Sequence, residues 1–302
     1  MITTRREFSN GGLLALAAAA SSGLAGAAGP PESRLTRANL LAADQRYRAY
    51  RRMRFGPDGK PVFWWMTGRR YGIIDNVMTP FLDMQVGSMH LTRELGAGRF
   101  SVTTAAAIYY THVDTGELLE TWLNPITGRN VVFRYAAPSP STVTYSYASG
   151  VESEPTSAGM RAERVHHVGP VDVVGPDVWL REETAIVLTP IAPTAQGAAA
   201  APAQAGVALP LPMRVHDMYT LQSPLAALLD DKQQFVPALA QFNDFNSWSP
   251  RFEMGDRPGT SVSRCAGRKE STLEQMPSRY LELARRLHPE AFKNPMATLG
   301  QG

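Results

Sequence analysis

Trp64 and Trp65 stand side by side in the run Val62–Thr67, and this pair constrains the fold more than any other feature of the chain. The run is rich in aromatic and β-branched residues, which favour strands. Successive strand side chains point to opposite faces, so the two indoles cannot share one. If one enters a hydrophobic interior, the other meets a second surface, and a bare indole in water carries a cost. The chain therefore needs a sheet whose second face is covered or carries a ligand.

The surrounding stretch, Tyr47 to His90, reads as the organising part of the molecule. Ala38–Arg46 suits a short helix, with Leu40 and Leu41 on one side. The arginine-rich run Arg46–Arg54 reads as a helix-to-strand segment with a solvated face, ending in an extended approach to the turn Gly56-Pro57-Asp58-Gly59. Val62–Thr67 is then a short strand, Gly68-Arg69-Arg70 a turn, and Tyr71–Ile74 the return. Pro80–Thr92 is a long strand with Leu82, Met84, Val86, Ser88 and His90 on one face. Its other face holds Phe81, Asp83, Gln85, Gly87 and Met89.

Gly96-Ala97-Gly98 turns the chain into Phe100–His112, whose faces also alternate. Asp114-Thr115-Gly116-Glu117 is a hairpin turn to Leu118–Leu123, and Asn124–Gly128 a second turn to Asn130–Tyr135. Strands joined by short turns make a meander. Pro138–Ala162 reads as a polar surface excursion, and Arg164–Val174 with Asp177–Leu188 as a hairpin about Gly175-Pro176. An alanine-rich stretch at 190–212 lacks the side chains to hold itself in a core. Met213–Leu221 resumes as a strand, and Pro224–Asp231 suits a helical turn. Phe242–Met254 and Thr260–Gly267 pair last. Ser271 to Glu274 has capping-box spacing for a helix running to about Leu287, before His288-Pro289. The fold class expected is mainly β: an antiparallel β-barrel or strongly curved meander sheet with a C-terminal helix.

Thr4-Arg5-Arg6-Glu7-Phe8 precedes an apolar run from Leu13 to Ala20 and the small-residue site Ala25-Gly26-Ala27. Residues 1–27 therefore read as a twin-arginine signal peptide, too short and glycine-interrupted to span a bilayer. Residues 28–302 are expected to form a single β-rich domain outside the cytoplasm, in the periplasm or otherwise exported. A net charge of only +3 argues against nucleic acid as partner. The lone Cys265 excludes an intrachain disulfide and any cysteine-built metal site.

Three motifs carry a family resemblance: Val-Phe-Trp-Trp-Met-Thr-Gly from Val62, Asp114 to Gly128, and Phe245-Asn-Ser-Trp-Ser-Pro-Arg-Phe-Glu-Met-Gly-Asp-Arg-Pro-Gly. Together with the twin-arginine start, they resemble the bacterial family catalogued as domain of unknown function 1838, over roughly Tyr47 to Pro289. The resemblance implies an exported, enzyme-like protein. It assigns no site residues.

Candidate chemistry comes from side chains that the alternation sends into a barrel. Asp83 and Glu120 sit among apolar neighbours, where a carboxyl would have a raised pKa and serve as general acid or base; the competing reading pairs each with Arg69, Arg70 or Arg93. His90 and His112 fall at strand ends, where barrel mouths lie. These four are the candidate catalytic residues. Trp64, Trp65 and Tyr109 are candidate substrate contacts, as are Trp248, Arg251, Glu253 and Arg257 of the last motif, where arginine and tryptophan together suit stacking and bidentate hydrogen bonding. No histidine pair has helical metal-ligand spacing, so no metal and no cofactor is expected. The function expected is a cofactor-independent lyase, isomerase or hydratase acting on a small apolar or aromatic compound, with a non-catalytic carrier of such a molecule as the alternative.

Overall fold

The computed structural model describes residues 34–153, 160–190 and 213–300. The expected signal peptide and nearly all of the 190–212 stretch lie outside the described residues. Among those residues, no helix is long and apolar enough to cross a membrane.

The protein is mainly β. Its strands are β1 (Pro61–Ile74), β2 (Val77–Gly96), β3 (Arg99–Thr111), β4 (Thr121–Leu123), β5 (Asn130–Val132), β6 (Ser141–Ser146), β7 (Gly150–Ser153), β8 (Met160–Val174), β9 (Asp177–Pro190), β10 (Met213–Pro224), β11 (Leu239–Asn246) and β12 (Thr260–Glu270). Ten of them form one antiparallel sheet in the order β7-β6-β3-β2-β1-β12-β11-β10-β9-β8, nearly closed into a barrel. β4 and β5 pair apart from it as a two-stranded ribbon. The helices are α1 (Arg46–Arg54), α2 (Leu225–Leu229), α3 (Ser278–Leu287), α4 (Pro289–Lys293) and α5 (Pro295–Thr298).

The two tryptophans of β1 part as alternation requires. Trp64 enters the lumen and is buried, its Nε1 donating to the Arg54 carbonyl at 2.8 Å. Trp65 faces outward, under the Arg268 guanidinium, with Nε1 donating to Glu270 Oε1 at 3.3 Å. The outer face of β1–β3 is a second core, where Phe63, Met89, Leu91, Ala105, Ala107 and Tyr109 meet Tyr280, Leu281 and Ala284 of α3. These α3 residues recur at i, i+1 and i+4, one stripe of a helix.

Several sequence expectations are corrected. Gly68-Arg69-Arg70 is no turn, because β1 runs unbroken to Ile74 and turns at Asp75-Asn76, both at positive φ (50° and 62°). Asn and Asp tolerate that left-handed pair, which a two-residue hairpin needs. Gly68 instead allows close approach: a Cβ there would collide with the Arg264 carbonyl and Cys265 on β12. Arg46–Arg54 is helical throughout, since Ala, Arg and Met favour helix and Ala49, Tyr50 and Met53 share a buried face. The polar stretch after Pro138 holds β6 and β7 and so extends the sheet. The expected return strand from Leu118 shrinks to a bridge with Thr111 and to β4, so that part of the meander leaves the main sheet. Residues 247–254 leave β11 as a loop with a short 3-10 turn at Pro250–Phe252. The capping box forms one residue later than expected, between Thr272 and Gln275, before a 3-10 turn that precedes α3.

Candidate functional site in the barrel lumen

Helix α1 closes one end of the lumen and is fastened to several strands. Arg46 Nη1 donates to the Val168 carbonyl of β8 at 3.1 Å, and Arg51 pairs with Glu94 of β2 at 2.8 Å. Lys269 of β12 reaches its C-terminus, donating to the carbonyls of Arg52, Met53 and Phe55 at 2.8, 2.8 and 2.9 Å. An ammonium suits the negative end of a helix dipole and satisfies its orphan carbonyls. The opposite end is filled by rings: Phe81 packs against Trp122, Trp248 and Phe252 at 5.1, 6.1 and 5.8 Å. Phe81 faces this way because β2 is bulged there, with Leu82 opposite Arg70 but Pro80 opposite Tyr71.

Between these plugs the inward side chains are ionic and aromatic. Arg54 Nε stands 3.3 Å from Glu182 Oε2, and His166 Nε2 stands 3.5 Å from Glu182 Oε1. Burial pushes the Glu182 carboxyl up, but Arg54 and then His166 outweigh it and hold the group below its ordinary range. Burial works against the charge on Arg54, yet Glu182 leaves the guanidinium held above its ordinary pKa. The Tyr50, Tyr47 and Tyr145 rings surround His166 at 5.9, 6.4 and 6.0 Å. Arg54 also lies over the Tyr219 ring at 4.3 Å.

This cluster has hydrogen-bonding capacity that the protein does not use. Arg54 Nη1 and His166 Nδ1 are buried without a hydrogen-bond partner, while Arg54 Nε, His166 Nε2 and the Tyr50 hydroxyl all bear on the Glu182 carboxylate. A buried polar atom left so costs about 1–3 kcal/mol, and these two nitrogens are donors or acceptors that a polar group from elsewhere would satisfy. Nearer the ring-filled end, Arg70 Nη2 meets Asp244 Oδ2 at 2.5 Å and Arg70 Nε donates to Ser263 Oγ at 2.8 Å. Asp217, opposite Asp244, is pushed up to about 7 by burial and by the Asp244 and Glu182 charges.

The structure scatters the residues singled out in the sequence. Trp64 and His90 line the lumen. His90 accepts one and donates one hydrogen bond with Ser88 Oγ and Thr104 Oγ1, both at 2.8 Å, and burial with Arg54 and Lys269 nearby keeps its ring neutral. Asp83 instead faces outward and takes Arg69 in a fork, at 2.6 and 3.2 Å. It is the structural ion pair that the sequence offered as the competing reading. His112 and Glu120 are exposed beyond the sheet, because the chain after Thr111 has left the barrel wall. Trp65 and Tyr109 belong to the outer core, where Tyr109 Oη bonds His288 Nδ1 at 2.9 Å. Trp248 is buried in the ring-filled end and donates to the Arg257 carbonyl. Arg251 lies over the Tyr110 ring at 5.2 Å, while Glu253 takes φ 51° in an exposed turn. The last motif is thus a plug around Trp248, with its charges on the rim.

Arg54, Tyr50, His166 and Glu182 were missed, although a signal existed. His166-His167 and Glu182-Glu183 are adjacent like residues in strands, so the argument made for Trp64-Trp65 sends one of each pair inward. Arg54 gave no such signal, since a helix of five arginines resembles a solvated one. Among the described residues, no group of three or more His, Cys, Asp or Glu stands together as a metal site.

No protein-family profile matches the chain, and no curated protein matches it. Among solved structures, the crystal structure of Rv2717c from M. tuberculosis is similar at 13% identity, covering 76% of this chain and 98% of that one, with a TM-score of 0.26.

Proposed function

We propose that the lumen takes a small apolar or aromatic compound bearing one polar group, and that the protein acts on it as a cofactor-independent lyase, isomerase or hydratase. One observation supports this: beside the Arg54–Glu182–His166 ion pairs, Arg54 Nη1 and His166 Nδ1 are buried without partners inside a wall of aromatic rings. The rings would hold the apolar body. In this reading His166 and Glu182 pass a proton, and Arg54 stabilises negative charge growing on an oxygen. The catalytic roles first considered for Asp83, His112 and Glu120 thus move to the lumen, where His90 stays as a neutral wall residue. Placement outside the cytoplasm, and membership of the family of unknown function named above, belong to the same proposal and rest on the N-terminus and the motifs.

A carrier is the second reading, favoured by the closure of both barrel ends, which suits retention as well as turnover. The deciding experiment is native mass spectrometry of the exported chain and its Glu182→Gln variant, followed by extraction of any bound molecule. The extract is then incubated with fresh protein of each kind. Conversion by the wild type alone supports the enzyme, and recovery unchanged from both supports the carrier. If neither protein carries a molecule and no compound from an aromatic set raises the melting temperature, the lumen reading fails.

A further inference from the structure

Three arginines of α1 gather on the side of the helix that faces away from the lumen. Arg48, Arg51 and Arg52 recur at i, i+3 and i+4, one stripe of the helix, while Ala49, Tyr50, Met53 and Arg54 are buried toward the barrel. With Arg34, Tyr147 and Asp231 they line a cavity of about 310 Å³. Like charges at such spacing repel, so the stripe weakens the helix unless anions face it.

The protein supplies too few of them. Asp231 is shared between Arg34 Nε and Arg52 Nη1, and Glu94 between Arg51 Nη2 and the Tyr147 hydroxyl at 2.8 and 2.9 Å. Asp230 turns its carboxylate to the Lys232 amide at 3.0 Å. Four guanidinium charges thus meet two carboxylates within salt-bridge reach, a surplus of two. Arg48 carries the unmatched charge most plainly. Its Cζ stands over the Tyr147 ring at 4.3 Å, and among the described residues no carboxylate pairs with it.

These cations are held in place rather than left to spread into water. Arg52 Nη2 donates to the Asp230 and Gln233 carbonyls at 2.7 and 3.0 Å, and the Arg51 and Arg52 side chains are only 17% and 19% exposed. Burial, aided by the Arg51 charge, pulls the Arg52 guanidinium below its ordinary pKa although Asp231 opposes it. Fixed guanidinium forks recognise phosphate oxygens in pairs.

We infer that this cavity binds a phosphate monoester group, whose two negative charges match the surplus and whose oxygens face Arg48 and Arg34. The volume leaves room for the group that carries the phosphate. A small soluble ester and the headgroup of an acidic lipid share that chemistry. The inference is independent of the lumen reading, because Arg54, the arginine of the lumen cluster, takes no part.

The test titrates the purified protein with glycerol 3-phosphate, against sodium chloride at the same ionic strength, and follows the backbone amides by NMR. The ester is expected to shift Arg48, Arg51 and Tyr147, to leave His166 and Glu182 unmoved, and to raise the melting temperature, and chloride to do neither. Arg48→Gln should weaken binding about tenfold. Asp231→Asn, which removes a competing carboxylate, should tighten it about threefold, and opposite signs in the two variants exclude general damage to the fold. Flotation with phosphatidylcholine vesicles, with and without phosphatidic acid, names the source of the phosphate. Binding to the acidic vesicles that the free ester reverses assigns a lipid headgroup, and no vesicle binding assigns a soluble ester. Shifts only outside the arginine stripe, equal shifts with chloride, unchanged affinity in Arg48→Gln, or no gain in Asp231→Asn would each overturn the site.

Discussion

Asp217 and Asp244 are direct cross-strand partners on β10 and β11, and both turn into the lumen. Two carboxylates so placed repel unless one is neutralised. Asp244 is already engaged by Arg70 and by the Ser263 amide at 2.6 Å, so Asp217 takes the strain, and burial and its neighbours push it up to about 7.

A pH dependence follows. Between the ordinary carboxyl range and about pH 7, folded Asp217 keeps a proton that the unfolded chain has lost. Its contribution is fully present below about pH 4 and is lost as pH rises through about 7. Asp217→Asn should remove that slope and stabilise the protein by about 2 kcal/mol at pH 8. Urea unfolding of both proteins from pH 5 to pH 8.5 measures it, and parallel curves would refute the coupling.

Lys269 should hold α1 in place. Lys269→Met keeps the stem but strips the donor from three buried carbonyls at the helix end. A loss of about 3 kcal/mol is expected, together with faster hydrogen exchange at Tyr50 and Met53. A loss below about 0.5 kcal/mol, the scatter of neutral surface changes, would show that α1 is held by its apolar face alone.

Gly87 is the seat of Tyr280. A Cβ on Gly87 would enter the Tyr280 ring, so Gly87→Ala should lift α3 from β2 and cost about 1–3 kcal/mol. In a Tyr280→Ala background the same change should cost almost nothing. Strict additivity in that double-mutant cycle would refute the contact.

What the sequence disclosed was governed by parity. Adjacent Trp64 and Trp65 required two covered faces, and the structure supplies both, one in the lumen and one under α3. Alternation also sorted Leu82, Met84, Val86, Ser88 and His90 onto one face of β2, and these do line the lumen. It could not say which face was the inner one for a lone polar residue, so Asp83 was placed among candidates when it points outward to Arg69. Nor does local sequence reveal a bulge, and the one at Phe81 parted that ring from Asp83, with which strict alternation grouped it, and put it in the aromatic plug. Arg54 was out of reach for a different reason. Its burial depends on Glu182, 128 positions later in the chain, and no local pattern encodes that pairing.

The wall of the barrel is not hydrogen-bonded all the way round. β6 pairs with β3 only between Arg99 and Thr104, and the chain returns to that edge at the Thr111–Leu118 bridge, so Ala105–Tyr109 have β2 on one side and no strand on the other. There Ala106 and Ile108, on the inward face, are exposed. With α1 at one end and the rings around Trp248 at the other, this edge is the part of the wall by which a guest of the proposed lumen site would enter.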